Sequence, residues 1–141
     1  MGRIITVASG KGGNGKSSSI AVISATLAAL RYRVAVIDAD PNASFYSWHK
    51  LYEGPSIECT CEIRQEEIVD HAQAQAELYD LVFIDTAGFS NTTTAMAAGT
   101  ADFVIIPIMP DRASAVEAMK MLRQVQSFGK ASRREIPVAC L

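Results

Sequence analysis

The sequence predicts an α/β fold: a mostly parallel, doubly wound sheet with helices on both faces. Two observations carry that expectation. Short runs rich in Val and Ile recur along the chain, several of them ending in small or acidic residues, as strands buried on both faces of a parallel sheet do. Between these runs lie stretches whose apolar residues return every three to four positions. The composition agrees, since 49% hydrophobic and 20% charged residues are ordinary for a globular chain and argue against disorder. A length of 141 residues predicts a single domain, residues 1–141.

Each element follows in order. "RIITVAS" (3–9) reads as the first strand, and after a glycine-rich segment a helix is expected over 17–30 through Ile20, Ile23, Leu27 and Leu30. "YRVAVIDAD" (32–40) is the second strand, followed by a short helix over 44–51. "SIECTCEI" (56–63) alternates more strongly, which places it nearer an edge. A helix over 65–78, the strand "YDLVFIDTAG" (79–88) and a short helix over 91–98 come next. The strand "ADFVIIPIMP" (101–110) leads into an amphipathic helix over 111–128 through Val116, Met119, Leu122 and Val125, and "IPVACL" (136–141) begins as a last strand. No helical pattern follows it to cover an apolar face, so the C-terminal part of the natural protein is expected to be missing.

Several function classes are disfavoured. The longest low-charge stretch, 17–30, is shorter than a membrane span, and the N-terminus has no basic, apolar and cleavage-site pattern. A cytoplasmic protein with no membrane contact is expected. Cys59, Cys61 and Cys140 form no framework of paired bridges and lack C-x-x-C spacing. Cys59 and Cys61 would share one face of a strand and are read as packing residues. A net charge of −2 points to no polyanionic partner. Residues 120–134, however, hold Lys120, Arg123, Lys130, Arg133 and Arg134 and no acidic residue, either a solvated helix face or a patch that contacts phosphates.

Gly10, Gly15, Lys16 and Ser17 fit G-x-x-x-x-G-K-[ST], with an expected strand before and an expected helix after. Glycines let consecutive backbone N–H groups turn inward around a phosphate with no Cβ in the way, and the helix start adds the positive end of its dipole. Lys16 can then reach the β and γ phosphates while the Ser17 hydroxyl ligates Mg²⁺. Lys11 cannot share those oxygens without like-charge repulsion, so it is expected to point to a phosphate held elsewhere.

"VIDADPNAS" places Asp38 and Asp40 where the second strand ends, at the carboxyl edge of the sheet and within reach of the metal. "LVFIDTAG" runs four apolar residues into Asp85, the pattern of a strand whose carboxylate holds Mg²⁺. Asp85 to Gly88 reads D-x-x-G, so the Gly88 N–H can sense the γ-phosphate.

"KGGNGKSS" (11–18) resembles the deviant Walker A motif, KGGxGK[ST][ST], of the ParA/MinD-type ATPases, with the small plasmid-partition ParA-like proteins the nearest likeness. The resemblance implies the P-loop NTPase fold, with ATP and Mg²⁺ as ligands. It implies nucleotide contacts from Gly10, Lys11, Gly12, Gly13, Asn14, Gly15, Lys16, Ser17 and Ser18, and metal contacts from Ser17, Asp38 and Asp85. Catalysis would fall to Lys16, to Lys11 reaching the nucleotide of the other subunit, and to Asp40, which orients the attacking water. The active form would be an ATP-bound homodimer. Asn42 stands where the family usually has Gln after D-x-D-P. The DTAG segment also occurs in GTPases of the signal-recognition class, so ATP over GTP rests on the family likeness.

Trp48 and the Gly54-Pro55 break are similar to the small plasmid-partition ATPases and their relatives in T-DNA processing. Family domains run to roughly 200 residues or more, which agrees with a missing C-terminal part. The function implied is DNA partition, with nonspecific DNA binding and a centromere-binding ParB-like partner. The alternatives are a MinD-like positioning ATPase at a membrane and a T-DNA or conjugation accessory ATPase. An electron-transfer role like that of the nitrogenase iron protein would need cluster cysteines after the Asp85 strand, and Cys59 and Cys61 precede it.

Overall fold

The chain was analysed as a computed structural model that describes residues 1–9, 15–62, 64–87 and 92–141. The strands are β1 (Arg3–Val7), β2 (Val34–Ala39), β3 (Ile57–Cys61), β4 (Leu81–Thr86), β5 (Phe103–Ile106) and β6 (Val138–Cys140). They form a six-stranded sheet in the order β3-β2-β4-β1-β5-β6, with every neighbouring pair parallel. The helices are α1 (Lys16–Ala29), α2 (Ser44–His49), α3 (Gln65–Leu78), α4 (Thr92–Thr100) and α5 (Arg112–Ala131). As its alternating pattern predicts, β3 lies at an edge.

The order of strands decides which face each helix covers. From β1 the chain steps through β2 to β3 in one direction, then returns across the sheet to β4, β5 and β6. Right-handed crossovers therefore put α1 and α2 on one face and α3, α4 and α5 on the other. The two cores show this division. Ile20 and Phe45 from α1 and α2 pack with Val7, Val34, Val36 and Phe83, whereas Ile68, Ala98 and Met121 pack with Ile4, Ile37, Ile84 and Ile106. Successive residues of β2 and β4 alternate between these cores, as the pleat requires. Asp38 and Asp85 follow Val36 and Phe83 by two positions and so point to the α1 face.

The helices differ from expectation in which side they bury. On α5 the buried line is Ser114, Ala118, Met121, Val125 and Gly129, while Val116 and Met119, expected inward, are 47% and 53% exposed. Two stripes overlap in this helix, and the one containing Ala118 and Gly129 turns inward; at Gly129 a side chain would collide with the chain that follows the helix. A Cβ on Gly129 would come within 2.6 Å of the Arg134 carbonyl oxygen. On α1 the inward line is Lys16, Ile20, Ser24 and Ala28. Ile23 and Leu27 are only partly buried and Leu30 is exposed. Among the described residues, no helix is long and apolar enough to cross a membrane.

Candidate nucleotide-binding site

The site forms where β1, β2 and β4 end, at the point where the chain's crossovers change face. Gly10, Lys11, Gly12, Gly13, Asn14 and Gly88, all expected nucleotide contacts, lie outside the described residues. Gly15 precedes α1 with φ 78°, a left-handed conformation that glycine adopts without steric cost. No side chain caps the start of α1 and its first turn holds no acidic residue. Its leading N–H groups and the positive end of its dipole thus remain for an anion.

Lys16 is 7% exposed, unusual for a lysine, and its Nζ donates to Ser9 Oγ at 3.2 Å. Burial at the start of α1 points this cation back at the end of β1, over the expected phosphate position. Ser17 Oγ donates to Asp85 Oδ2 at 2.6 Å, so α1 and β4 meet through the two residues expected at the metal. The Asp85 side chain is fully buried, and its Oδ1 has no hydrogen-bond partner among the described residues. Burial pushes its carboxyl up to about 7, and the Ser17 hydroxyl pulls the other way. An orphaned carboxylate oxygen beside a hydroxyl is the hard-oxygen pair that Mg²⁺ takes, the rest of its shell coming from phosphate and water. The residues present therefore fit Mg²⁺. Among the described residues no group of three His, Cys, Asp or Glu side chains makes an all-protein cage.

Asp38 sits beside Asp85 as its register partner on the neighbouring strand, and it too is fully buried. Its environment differs. Oδ1 accepts the Asp40 N–H at 3.1 Å and Oδ2 accepts the Tyr46 N–H at 2.9 Å. Burial raises its pKa, with the amides of Tyr46, Asp40 and Phe45 opposing that shift. Asp40 closes a turn: its Oδ1 accepts from the Asn42 N–H at 2.9 Å and its carbonyl from the Ala43 N–H at 2.8 Å. Lys16, Ser17, Asp38, Asp40 and Asp85 thus converge. Ser18 is exposed at the rim.

Sequence reasoning missed three supports of this site. Ser9 holds Lys16, and its place two residues after β1 was the available signal. Thr86 Oγ1 donates to the Val7 carbonyl at 2.9 Å and Thr94 Oγ1 to the Ala87 carbonyl at 3.2 Å, so hydroxyls anchor the backbone after β4. The third is a groove of about 480 Å³ between α1 and α2, lined by Ser17, Ser18, Val22, Phe45 and Trp48. Trp48 packs on Phe45 and Tyr52, with ring centroids 5.3 and 4.9 Å away; their i, i+3, i+7 spacing was the available signal.

The cysteines stay out of this chemistry. Cys59 is half-buried against the α1-side core and its thiol is pushed up to about 12, chiefly by burial, while Cys61 and Cys140 are exposed. The basic residues fall at the opposite end of the sheet, because α5 runs back from the end of β5 to the start of β6. Lys130, Arg133 and Arg134 line a cleft of about 760 Å³ there. Lys120 pairs with Glu117 at 3.3 Å, and Arg134 donates to the Ala101 carbonyl.

A parallel sheet with this strand order, a G-x-x-x-x-G-K-S loop feeding α1 and a buried β4 aspartate on Ser17 define a P-loop protein of the ParA-like, deviant Walker ATPase class. More particularly, the chain belongs to the VirC1 protein family, whose family model matches residues 2–141. It is 29% identical over 134 residues to protein ParA of Rhizobium radiobacter, covering 94% of this chain and 60% of that protein. It is 28% identical over 145 residues to protein virC1 of Rhizobium rhizogenes, covering 99% and 63%. The chain thus spans somewhat under two thirds of these relatives' length. The fold is shared with the Cyanothece McdA structures. The apo form has a TM-score of 0.86 at 16% identity, covering 100% of this chain and 72% of that one. An ATP complex of a McdA variant has a TM-score of 0.82 at 15% identity, covering 99% and 69%.

Proposed function

We propose that this chain is the nucleotide-binding part of a Mg²⁺-dependent ATPase that partitions DNA, dimerising around ATP and binding DNA without sequence preference. The observation that carries the reading is the contact between Ser17 and the buried, half-satisfied Asp85, set beside Lys16 at the foot of α1. That arrangement suits a triphosphate with its metal and has no evident use without them. ATP as the nucleotide is supported by family membership and by the ATP complex of the McdA variant.

In the proposed mechanism the α1 N-terminus and Lys16 bind the β and γ phosphates and stabilise charge that develops during in-line attack by water. Ser17 and Asp85 would hold Mg²⁺, which supplies further neutralisation at those oxygens. Asp40 places the water. Lys11 of the second subunit adds a cation from across a two-fold interface, and the Gly88 N–H reads the γ-phosphate. The basic residues from Lys120 to Arg134 are the proposed DNA contacts, and a centromere-binding ParB-like protein is the proposed partner that stimulates hydrolysis.

The tests use the full-length protein. Lys16→Ala should abolish ATP uptake measured by calorimetry with Mg²⁺, and unchanged binding would remove the site. Lys11→Ala should still bind ATP but stay monomeric in analytical ultracentrifugation. An ATP-dependent dimer of that variant contradicts the sandwich. Asp40→Ala should retain ATP uncleaved. Salt-sensitive binding to nonspecific DNA is expected, whereas binding to anionic liposomes in its place would favour membrane positioning.

A further inference from the structure

Asp38 and Asp85 are register partners of the same type, both fully buried, both on the α1 face. Their oxygens have different fates. Asp85 keeps one oxygen without a donor among the described residues. Both oxygens of Asp38 accept backbone N–H groups, from Asp40 and from Tyr46.

The second of those bonds matters because of how α2 begins. Its N-cap is Ala43, in a left-handed conformation with φ 49°, and no side chain of its own caps it. A helix start without a cap leaves donors unsatisfied. The Tyr46 N–H, in the first turn, finds its acceptor eight residues back, near the end of strand β2. The same carboxylate holds the amide of Asp40, whose own side chain and carbonyl close the turn leading into α2. The Asp38 carbonyl accepts from the Glu62 N–H at 3.1 Å, which ties the unit to the end of β3.

We propose that Asp38 is a positioning residue: its carboxylate caps α2 from the end of β2 and fixes Asp40 to that helix, leaving the metal to Ser17 and Asp85. With one backbone amide on each oxygen, the Asp38 carboxylate is fixed in orientation by the turn and by α2, and rotating it to present an oxygen squarely to a cation would break one of those buried bonds, which is costly. Asp85 incurs no such loss. Asp40 and α2 consequently move together, and Trp48 on α2 shares a groove with Ser17. The consequence for hydrolysis rests on the ATPase reading above; the capping role does not.

Trp48 is the only tryptophan of the chain, so its fluorescence reports α2 directly. In the nucleotide-free protein, Asp38→Asn keeps one acceptor oxygen and sets its NH₂ against the other of the two backbone donors. It should shift Trp48 emission to the red and raise acrylamide quenching at least about twofold, while Asp85→Asn leaves both as in the parent. With AMPPNP present, Mn²⁺ affinity should fall at least about tenfold in Asp85→Asn and stay within about twofold in Asp38→Asn. An unchanged Trp48 signal with a tenfold loss of Mn²⁺ affinity in Asp38→Asn would overturn the proposal and make Asp38 a metal-shell carboxylate. Should Asp38→Asn fail to fold, amide hydrogen exchange in the parent protein decides. Protection of the Asp40 and Tyr46 amides at least about tenfold above unstructured rates supports the cap, and its absence defeats it. Failure of the parent protein to take up Mn²⁺ and AMPPNP would count against the ATPase reading alone.

Discussion

A buried carboxylate with only one of its oxygens hydrogen-bonded is costly to keep charged, and among the described residues Asp85 is one. Its carboxyl titrates near 7 in the folded chain, through burial first and foremost, and near 4 when unfolded. The folded state therefore holds the extra proton between those values, and the contribution of Asp85 to stability is full below about pH 4 and is lost as pH rises through about 7. Asp85→Asn keeps an acceptor for the Ser17 hydroxyl and removes the charge. Without nucleotide it should melt higher than the parent at pH 8, by about 1–3 kcal/mol of stability, with the gap closing by pH 5. Thermal melts across that range check this, and a gap independent of pH would place the titration elsewhere. The same residue illustrates what reading a chain can achieve. "LVFID" marked it as a metal carboxylate, whereas the unsatisfied oxygen and the raised pKa belong to its surroundings.

At the scale of elements, α5 shows local chemistry and tertiary packing at work in one helix. Asp111 caps it, accepting the Ser114 N–H at 2.7 Å, and Ser114 Oγ accepts from the Met109 N–H at 2.8 Å. Asp111→Ala removes the first bond and should cost about 1 kcal/mol, read as a lower denaturant midpoint with an unchanged slope. The bounds of α3, residues 65–78, were legible because charge and apolar periodicity agree there. The buried side of α5 was not. The expected stripe through Val116, Met119 and Leu122 is the more apolar, yet the buried line runs through Ser114, which accepts the Met109 N–H, and Gly129, where a Cβ would meet the Arg134 carbonyl, and periodicity encodes neither contact. Trp48 was legible as a family likeness, though not as the wall of a groove, since the facing wall comes from α1.

Across the whole molecule, the candidate phosphate site and the basic cleft lie at opposite ends of the strands, so a nucleotide and a nucleic acid bound there would not compete for the same surface. Arg123, Lys130 and Arg133 are exposed there. If they neutralise DNA phosphates, replacing Lys130 and Arg133 together by Ala should reduce the slope of log affinity against log salt by about 2 and leave ATP uptake intact. Fluorescence anisotropy on nonspecific duplexes measures both slopes, and an unchanged slope would return the cleft to a solvated surface.

By itself the sequence determined the alternation of strands and helices, the parallel sheet, and the motif positions from Gly10 to Ser17 and at Asp38, Asp40 and Asp85. Those signals are local, because periodicity and short motifs are properties of neighbouring residues. The tertiary structure alone decided that Asp38 and Asp85, alike in residue type and position on their strands, meet different partners. One receives the amides of a turn and a helix, and the other is left with an open oxygen beside Ser17. Strand order and crossover handedness bring those groups together from distant parts of the chain, and no local pattern states which donors a buried carboxylate will meet.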